Sequence, residues 1–407
     1  MFINCQKDHS TGPDDNEISG IQQDIPWPSL SDSPWPMFQH DPQGTGRSRY
    51  LGPQTGRIVN QFIVNRGGSK LSYTLVDPDD NILLAFGNVW SDSLGETDGY
   101  LFKYSPSGER LWYFNIGGRE VYHSPLIDAN GVIYIGSDDG VFYAINPDGS
   151  MKWKYETNSM VTCGYGGPSI GLDGTIYFSN QKALYAIDQS GVIIWSKQDY
   201  RDTRVVVSPD GNTFYVKHIN VGIAALEING NLKWCYQYPA KGYAFYPLVD
   251  SNCRIYFPYD SKTYIALNEH GELIWSFDIS SVNNYSGTKI DILTAPTIDN
   301  MGNFYFYTAD DLYSIDYTGK LRWIIRGLER NAAHLMCDKN GNIFSVTQFD
   351  GAFDVLSITN EGKLNWKTFL YCPEFGFSAA SISSQGRLFL MTMELIDYNK
   401  FKLYIIE

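Results

Sequence analysis

SPLIDANGVIYIGSDDGVFYAINPDGSMKWKYE, residues 124–156, breaks into four short apolar runs separated by three turn signals. SPLID begins with a proline-bearing run and turns at Asn130-Gly131, VIYIG is β-branched and turns at Asp139-Gly140, and VFYAI turns at Pro147-Asp148-Gly149 into the alternating run MKWKY. Short apolar runs divided by Asn-Gly or Asp-Gly pairs are the strongest local signal for an antiparallel meander. One such sheet cannot bury both its faces, so the unit requires neighbours like itself.

The neighbours follow. A glycine with tryptophan four residues later closes the third turn and enters the fourth strand. It occurs at Gly108/Trp112, Gly149/Trp153, Gly191/Trp195, Gly230/Trp234, Gly271/Trp275, Gly319/Trp323 and Gly362/Trp366, using seven of the ten tryptophans. Successive members lie 39 to 48 residues apart, the period of four-stranded propeller blades. An eighth copy is divided between the chain ends. Thr55 to Phe62 reads as a fourth strand with Asn60 at the tryptophan position, Ala379 to Leu390 as first and second strands, and Lys402 to Ile406 as a third. The sequence predicts an all-β, eight-bladed β-propeller of four-stranded antiparallel blades, its ring closed by an N-terminal strand that completes the last blade and leaves no open array edge. Trp112, Trp153, Trp195, Trp234, Trp275, Trp323 and Trp366 are expected to wedge between blades, each contributing roughly 1.5–3 kcal/mol through burial, and Asn60 to mark the weakest junction. Pro125, Pro168, Pro247 and Pro296 open first strands, as suits an innermost strand whose free edge needs no N–H there.

The period overrides the two or three domains that length alone would suggest. It divides the chain into a leader, 1–35, and a single propeller domain, 36–407. The leader is rich in Asp, Ser, Pro and Gln without periodicity and reads as a flexible tether. A net charge of −14 argues against nucleic acid, whose phosphates it would repel, and against anionic lipid surfaces. No segment is long and apolar enough to span a membrane. Met1-Phe2-Ile3-Asn4-Cys5 followed by the polar tether resembles the end of a bacterial lipoprotein signal, with Cys5 the lipid attachment candidate, although Asn4 is larger than the residue usual there. The alternative is a disordered tail with an incidental cysteine.

Trp35-Pro36-Met37-Phe38-Gln39-His40-Asp41-Pro42-Gln43-Gly44-Thr45-Gly46-Arg47-Ser48, followed by blades carrying the turn from Ala144 to Trp153, resembles bacterial proteins built from PQQ-like (pyrroloquinoline-quinone-like) repeats. The resemblance runs from Trp35 to the C-terminus. It implies the propeller fold and a place outside the cytoplasm of a bacterium, in the periplasm, outer membrane or cell surface. It leaves the chemistry open, because the family holds both quinoprotein dehydrogenases and non-catalytic scaffolds of outer-membrane assembly. The family's dehydrogenases carry a disulfide between adjacent cysteines over the cofactor, a calcium ion held by carboxylate and amide, and an aspartate base. Cys5, Cys163, Cys235, Cys253, Cys337 and Cys372 include no adjacent pair. Asp128-Ala129-Asn130-Gly131 and Asp338-Lys339-Asn340-Gly341 look like calcium loops but fall at hairpin turns and lack the spacing of a calcium-binding helix-loop-helix. The chain has no Gly-x-Ser-x-Gly elbow, His-Glu-x-x-His, phosphate-binding loop or Cys-x-x-Cys. No catalytic residue and no metal ligand is assigned.

Two insertions, Gly87 to Gly99 and Asp278 to Leu293, interrupt the period and read as neutral loops or binding decorations. The segments joining each outer strand to the next inner strand gather at one mouth of the channel. Their charged and aromatic members Arg119, His123, Tyr165, Arg204, Tyr243, Arg330 and His334 are the ligand-binding candidates, against the alternative of a solvated rim. The expected function is a monomeric, non-catalytic envelope scaffold that binds a protein or envelope component through its rim and channel mouth and uses no cofactor. The alternative is a quinone-binding oxidoreductase, or a degenerate relative of one, with PQQ and calcium.

Overall fold

A computed structural model describes residues 20–65, 70–71, 74–87, 99–118, 123–219, 221–238, 246–282, 294–308, 311–328, 335–349, 352–371, 380–394 and 400–407. They form eight antiparallel blades. Blade 2 is the quoted stretch, with strands Leu126–Ile127, Ile133–Gly136, Val141–Ile145 and Met151–Glu156 from the channel outward. Blades 3 to 7 repeat it. In blade 1 the innermost strand is split, Lys70–Leu71 and Leu75–Val76 both pairing with Ile82–Gly87. In blade 8, Ser381–Ile382, Leu388–Glu394 and Lys400–Ile406 are completed by the N-terminal strand Ile58–Asn65. The predicted closure of the ring is therefore present, antiparallel from Ile58 opposite Ile406 to Asn65 opposite Lys400 with a register shift between Ile58 and Asn60.

Burial follows from blade geometry. Second and third strands lie between two neighbouring blades, so both of their faces are covered, as in Ile133–Gly136, buried throughout. Fourth strands are the outer edge and alternate between exposed and half-buried positions, as in Met151–Glu156. The prolines predicted to open the innermost strands directly precede Leu126, Ser169, Leu248 and Thr297, the first residues of those strands.

The Gly-Trp repeat proves to be a contact between blades. Within its own blade each of six rings packs on a second-strand aromatic, at 5.7–6.0 Å between centroids for Tyr134/Trp153, Tyr177/Trp195, Tyr215/Trp234, Tyr256/Trp275, Tyr305/Trp323 and Phe344/Trp366, while opposite Trp112 that strand position is Leu83. Its other face receives the glycine of the next blade's third turn. A Cβ on Gly191 would lie 2.9 Å from the Trp153 ring, and one on Gly271 2.8 Å from Trp234. These glycines also have φ near +80 to +93°, which disfavours any side chain. The indole Nε1 then donates to the carbonyl two residues before that glycine, as in Trp153 to Gln189 at 2.9 Å and Trp323 to Asn360 at 2.9 Å. At Trp275 this bond is missing, and the reason is visible. Arg254 Nη1 donates to the equivalent Tyr317 carbonyl at 2.7 Å, its guanidinium 3.5 Å over the Tyr317 ring.

The junction expected to be weakest is repaired. Asn60 does occupy the tryptophan register, opposite Ile405, but Gly108 of blade 1 rests on Phe62, whose ring lies 2.8 Å from its Cβ position. The leader also departs from expectation. Residues 20–35, assigned to a flexible tether, lie against the propeller, with Trp27, Leu30 and Trp35 buried. Residues 88–98 and 283–293 of the two insertions lie outside the described residues, and the start of the second forms a short 3-10 helix, Ile279–Ser281, capped by Asp278. Among the described residues no helix is long and apolar enough to cross a membrane.

Replacing Phe62 by alanine is expected to cost about 3 kcal/mol in denaturant unfolding, close to the cost for Trp153→Ala. Asn60→Ala should cost less than about 0.5 kcal/mol. Equal costs at Asn60 and Phe62 would contradict the substitution of one ring for the other.

Candidate functional site

The channel is lined by the inward edges of eight innermost strands, whose backbone N–H groups need acceptors. The segment from Trp35 to Arg47 supplies them. Val76 N donates to Trp35 O at 3.0 Å and Ile127 N to Pro36 O at 2.9 Å, in blades 1 and 2. Val207 N donates to Pro42 O at 2.8 Å and Val249 N to Gln43 O at 2.9 Å, in blades 4 and 5. Ile298 N donates to Thr45 O at 3.3 Å and Cys337 N to Gly46 O at 2.9 Å, in blades 6 and 7. Each donor is the second residue of its innermost strand, and the acceptors visit the blades in ring order. Blade 3 is reached from further upstream, by Trp27 Nε1 to Ile170 O at 3.0 Å and Ser29 Oγ to Gly171 O at 2.6 Å.

This plug is buried, with Trp35, Met37, Phe38, Gln39, Gln43 and Ser48 all at 3% exposure or less. Local chemistry bends it to fit. Gln39 and His40 both take positive φ, 57° and 70°, a strained choice for non-glycine residues. Gln39 Nε2 donates to Pro296 O at 2.9 Å and Gln43 Nε2 to Val207 O at 3.1 Å. Asp41 accepts from the Thr45 N–H at 2.9 Å and from the Thr45 hydroxyl. Burial alone would raise the Asp41 carboxyl, but these bonds and neighbouring His40 hold it below its ordinary value. Gly44 and Gly46 have φ of +71° and +63°, and their Cβ positions would lie 2.6 Å from Arg204 Nη2 and 2.9 Å from Leu335 O.

Two of the seven mouth candidates have described side chains, and the plug covers one of them, Arg204. Arg204, 2% exposed, lies with its guanidinium 4.6 Å over the Phe38 ring. His123 is fully buried, its Nε2 without a hydrogen-bond partner and 3.0 Å from the Cβ position of Gly136. They flank one turn: Gly166 O accepts from Ser124 N at 2.9 Å, and its Cβ position is 2.9 Å from Arg204 Cδ and 3.1 Å from Phe38. Arg204 reaches no solute while Phe38 is in place, and His123 is shut in by Gly136 and Val161. Tyr165 closes the 3-10 helix Cys163–Tyr165, and its side chain lies outside the described residues, as do Arg119, Tyr243, Arg330, His334 and Cys5. Sequence reasoning missed Phe38, Gln39, Asp41 and Gln43, although a Trp, Met and Phe within four positions outside any blade already required a burial site.

The two calcium-like runs are turns, as expected. Asp128 Oδ1 accepts from the Asn130 and Val132 N–H groups at 2.8 and 2.9 Å, and Oδ2 from the Tyr134 hydroxyl at 2.9 Å. Asp338 accepts from the Asn340 and Asn342 N–H groups, both at 2.9 Å, and from Gly52 N at 3.0 Å. Among the described residues no group of three or more His, Cys, Asp or Glu is arranged to hold a metal.

Two outcomes follow from this packing. Arg204→Ala should cost about 2 kcal/mol in stability, from a lost cation–π contact and lost stem packing. An unchanged unfolding midpoint would contradict that role. Burial lowers the His123 imidazole from 6.5 to about 4, so the unfolded chain takes up a proton that the folded chain refuses. Stability is unaffected above pH 6.5, falls as pH drops toward 4, and levels off below, a loss of about 3 kcal/mol. Denaturation of His123→Gln across that window should lack this component, and an identical slope would remove the assignment.

A family profile described as outer membrane protein assembly factor BamB matches residues 97–244. No curated protein sequence matches significantly. Among solved structures, BamB from Moraxella catarrhalis is similar, with a TM-score of 0.63 at 14% identity, covering 86% of this chain and 99% of its own. So are the quinohemoprotein alcohol dehydrogenases from Comamonas testosteroni, with a TM-score of 0.66 at 12% identity over 91% of this chain and 80% of that one, and ADHIIG from Pseudomonas putida HK5, with 0.69 at 11% over 96% and 83%. At such identities the structures speak for fold alone, the eight-bladed propeller, and the profile supports the resemblance to PQQ-like repeats over the residues it matches.

Proposed function

We propose that the chain is a non-catalytic binding scaffold of the bacterial cell envelope that recognises a protein or envelope component through its rim and outer walls. The observation carrying this reading is the filled channel. A cofactor or substrate in this architecture needs the concave space at the axis, and here Trp35 to Arg47 takes that space with backbone bonds to six blades. The described residues do not fit a calcium-bound quinone there, because the carboxylates Asp41, Asp128 and Asp338 are engaged by the chain's own N–H and hydroxyl groups. The profile of an outer membrane protein assembly factor supports the same side. A location outside the cytoplasm is supported by Cys253, which is disulfide-bonded, since such bonds persist in oxidising compartments. The net charge of −14 keeps nucleic acid off the candidate partners. Attachment through a lipid on Cys5, and a monomeric state, belong to the same proposal.

The test is equilibrium dialysis of the purified chain against pyrroloquinoline quinone, with and without calcium. No saturable binding is expected. Calcium-dependent binding near one quinone per chain would overturn the scaffold reading in favour of a quinone-binding oxidoreductase, and would require the plug to leave the channel.

A further inference from the structure

Neighbouring blades face each other across outer grooves, and the repeat brings one residue from each wall to the same height in every groove. From the earlier blade it is the residue two beyond the tryptophan. From the later blade it is the third-strand residue just before the one opposite its own tryptophan. Between blades 1 and 2 these are Phe114 and Tyr143, with ring centroids 5.6 Å apart. Between blades 2 and 3 they are Tyr155 and Tyr185 at 6.2 Å, and between blades 5 and 6 Phe277 and Tyr313 at 6.3 Å. Between blades 6 and 7 the same positions hold Ile325 and Leu356. There a cleft of about 520 Å³ opens, walled also by Leu328, Ile358 and Leu364.

The cleft has three polar side chains, Thr347 and an ion pair. Asp354 and Lys367 line it, with Lys367 Nζ 2.6 Å from Asp354 Oδ2. The other oxygen, Asp354 Oδ1, is closed off from solvent and has no hydrogen-bond partner, which leaves a buried acceptor waiting for a donor. Apolar surface continues past the cleft. Phe369 and Tyr371 alternate with Lys367 on the same face of the outer strand Leu364–Tyr371 and are 61% and 71% exposed. Contiguous exposed aromatics beside a cleft on an edge strand mark contact with a macromolecule more than with a lone solute.

We propose that the cleft between blades 6 and 7 is a docking site for a partner polypeptide that inserts an aromatic side chain carrying an N–H or O–H, tryptophan or tyrosine. The ring replaces the pair that three other junctions supply themselves, and its donor meets Asp354 Oδ1, while Phe369 and Tyr371 cover the flanking chain. That the occupant is a polypeptide rests on the scaffold reading.

The test titrates the full chain with N-acetyl-tryptophanamide, followed by saturation-transfer NMR, with N-acetyl-phenylalaninamide as the probe that has the same amides but no donor on its ring. The tryptophan amide should bind saturably and about tenfold more tightly than the phenylalanine amide, the worth of one satisfied buried acceptor. Leu356→Tyr rebuilds the pattern of Tyr143, Tyr185 and Tyr313, and should abolish binding while the unfolding midpoint holds or rises. Asp354→Ala should erase the preference between the two probes. No saturable binding, equal affinities in the native chain, or undiminished binding by Leu356→Tyr would each overturn the proposal. Should Leu356→Tyr fail to fold, Ile325→Phe fills the cleft from the opposite wall and is judged by the same criterion. Quinone binding in dialysis would remove the scaffold reading and leave the cleft measurement standing, so the two failures are separable.

Discussion

The constraint on which this structure depends is the backbone edge that every blade turns toward the axis. A buried N–H without an acceptor costs on the order of 1–3 kcal/mol, and the ring presents such donors blade after blade. Water could satisfy them in an open channel. Here the carbonyls of Trp35, Pro36, Pro42, Gln43, Thr45 and Gly46 do so in ring order. The segment then leaves the axis and becomes the outer strand Ile58–Asn65 of blade 8. One stretch of chain therefore fills the centre and closes the circumference, which couples the two ends of the protein to all that lies between.

Around the circumference the corresponding constraint is the meeting of a flat ring with a residue that lacks a Cβ. The two irregular junctions show that the geometry, and not the identity of the residue, is what must be kept. Where tryptophan is missing, Phe62 reaches the same glycine face from two residues away. Where the indole's acceptor is claimed by Arg254, Trp275 keeps its place by packing on Tyr256 at 5.7 Å and gives up the hydrogen bond.

Much of the candidate site was legible only as chain position. Loop order put His123 and Arg204 at the segments that enter the innermost strands, because the repeat fixes which loops those are. It carried no information on depth. Arg204 is covered because Phe38, distant in sequence, lies under its guanidinium, and His123 because Gly136 and Val161 close over its ring. The cleft between blades 6 and 7 was encoded in a readable way, as Ile325 and Leu356 at positions that hold aromatic pairs between blades 1 and 2, 2 and 3, and 5 and 6. Reading it requires the strand register, since a β-bulge near each tryptophan shifts the pairing by one residue.

The sequence by itself determined the blade, the number of blades and the closure of the ring. These rest on turn residues a few positions apart and on a period repeated seven times, signals that survive without knowledge of any distant contact. Only the tertiary structure decided that the channel is filled, that the leader packs from residue 20 onward and that a cleft opens between blades 6 and 7. A plug that touches six blades at once has no period of its own, and its conformation is set by the edges it satisfies and not by its neighbours in the chain.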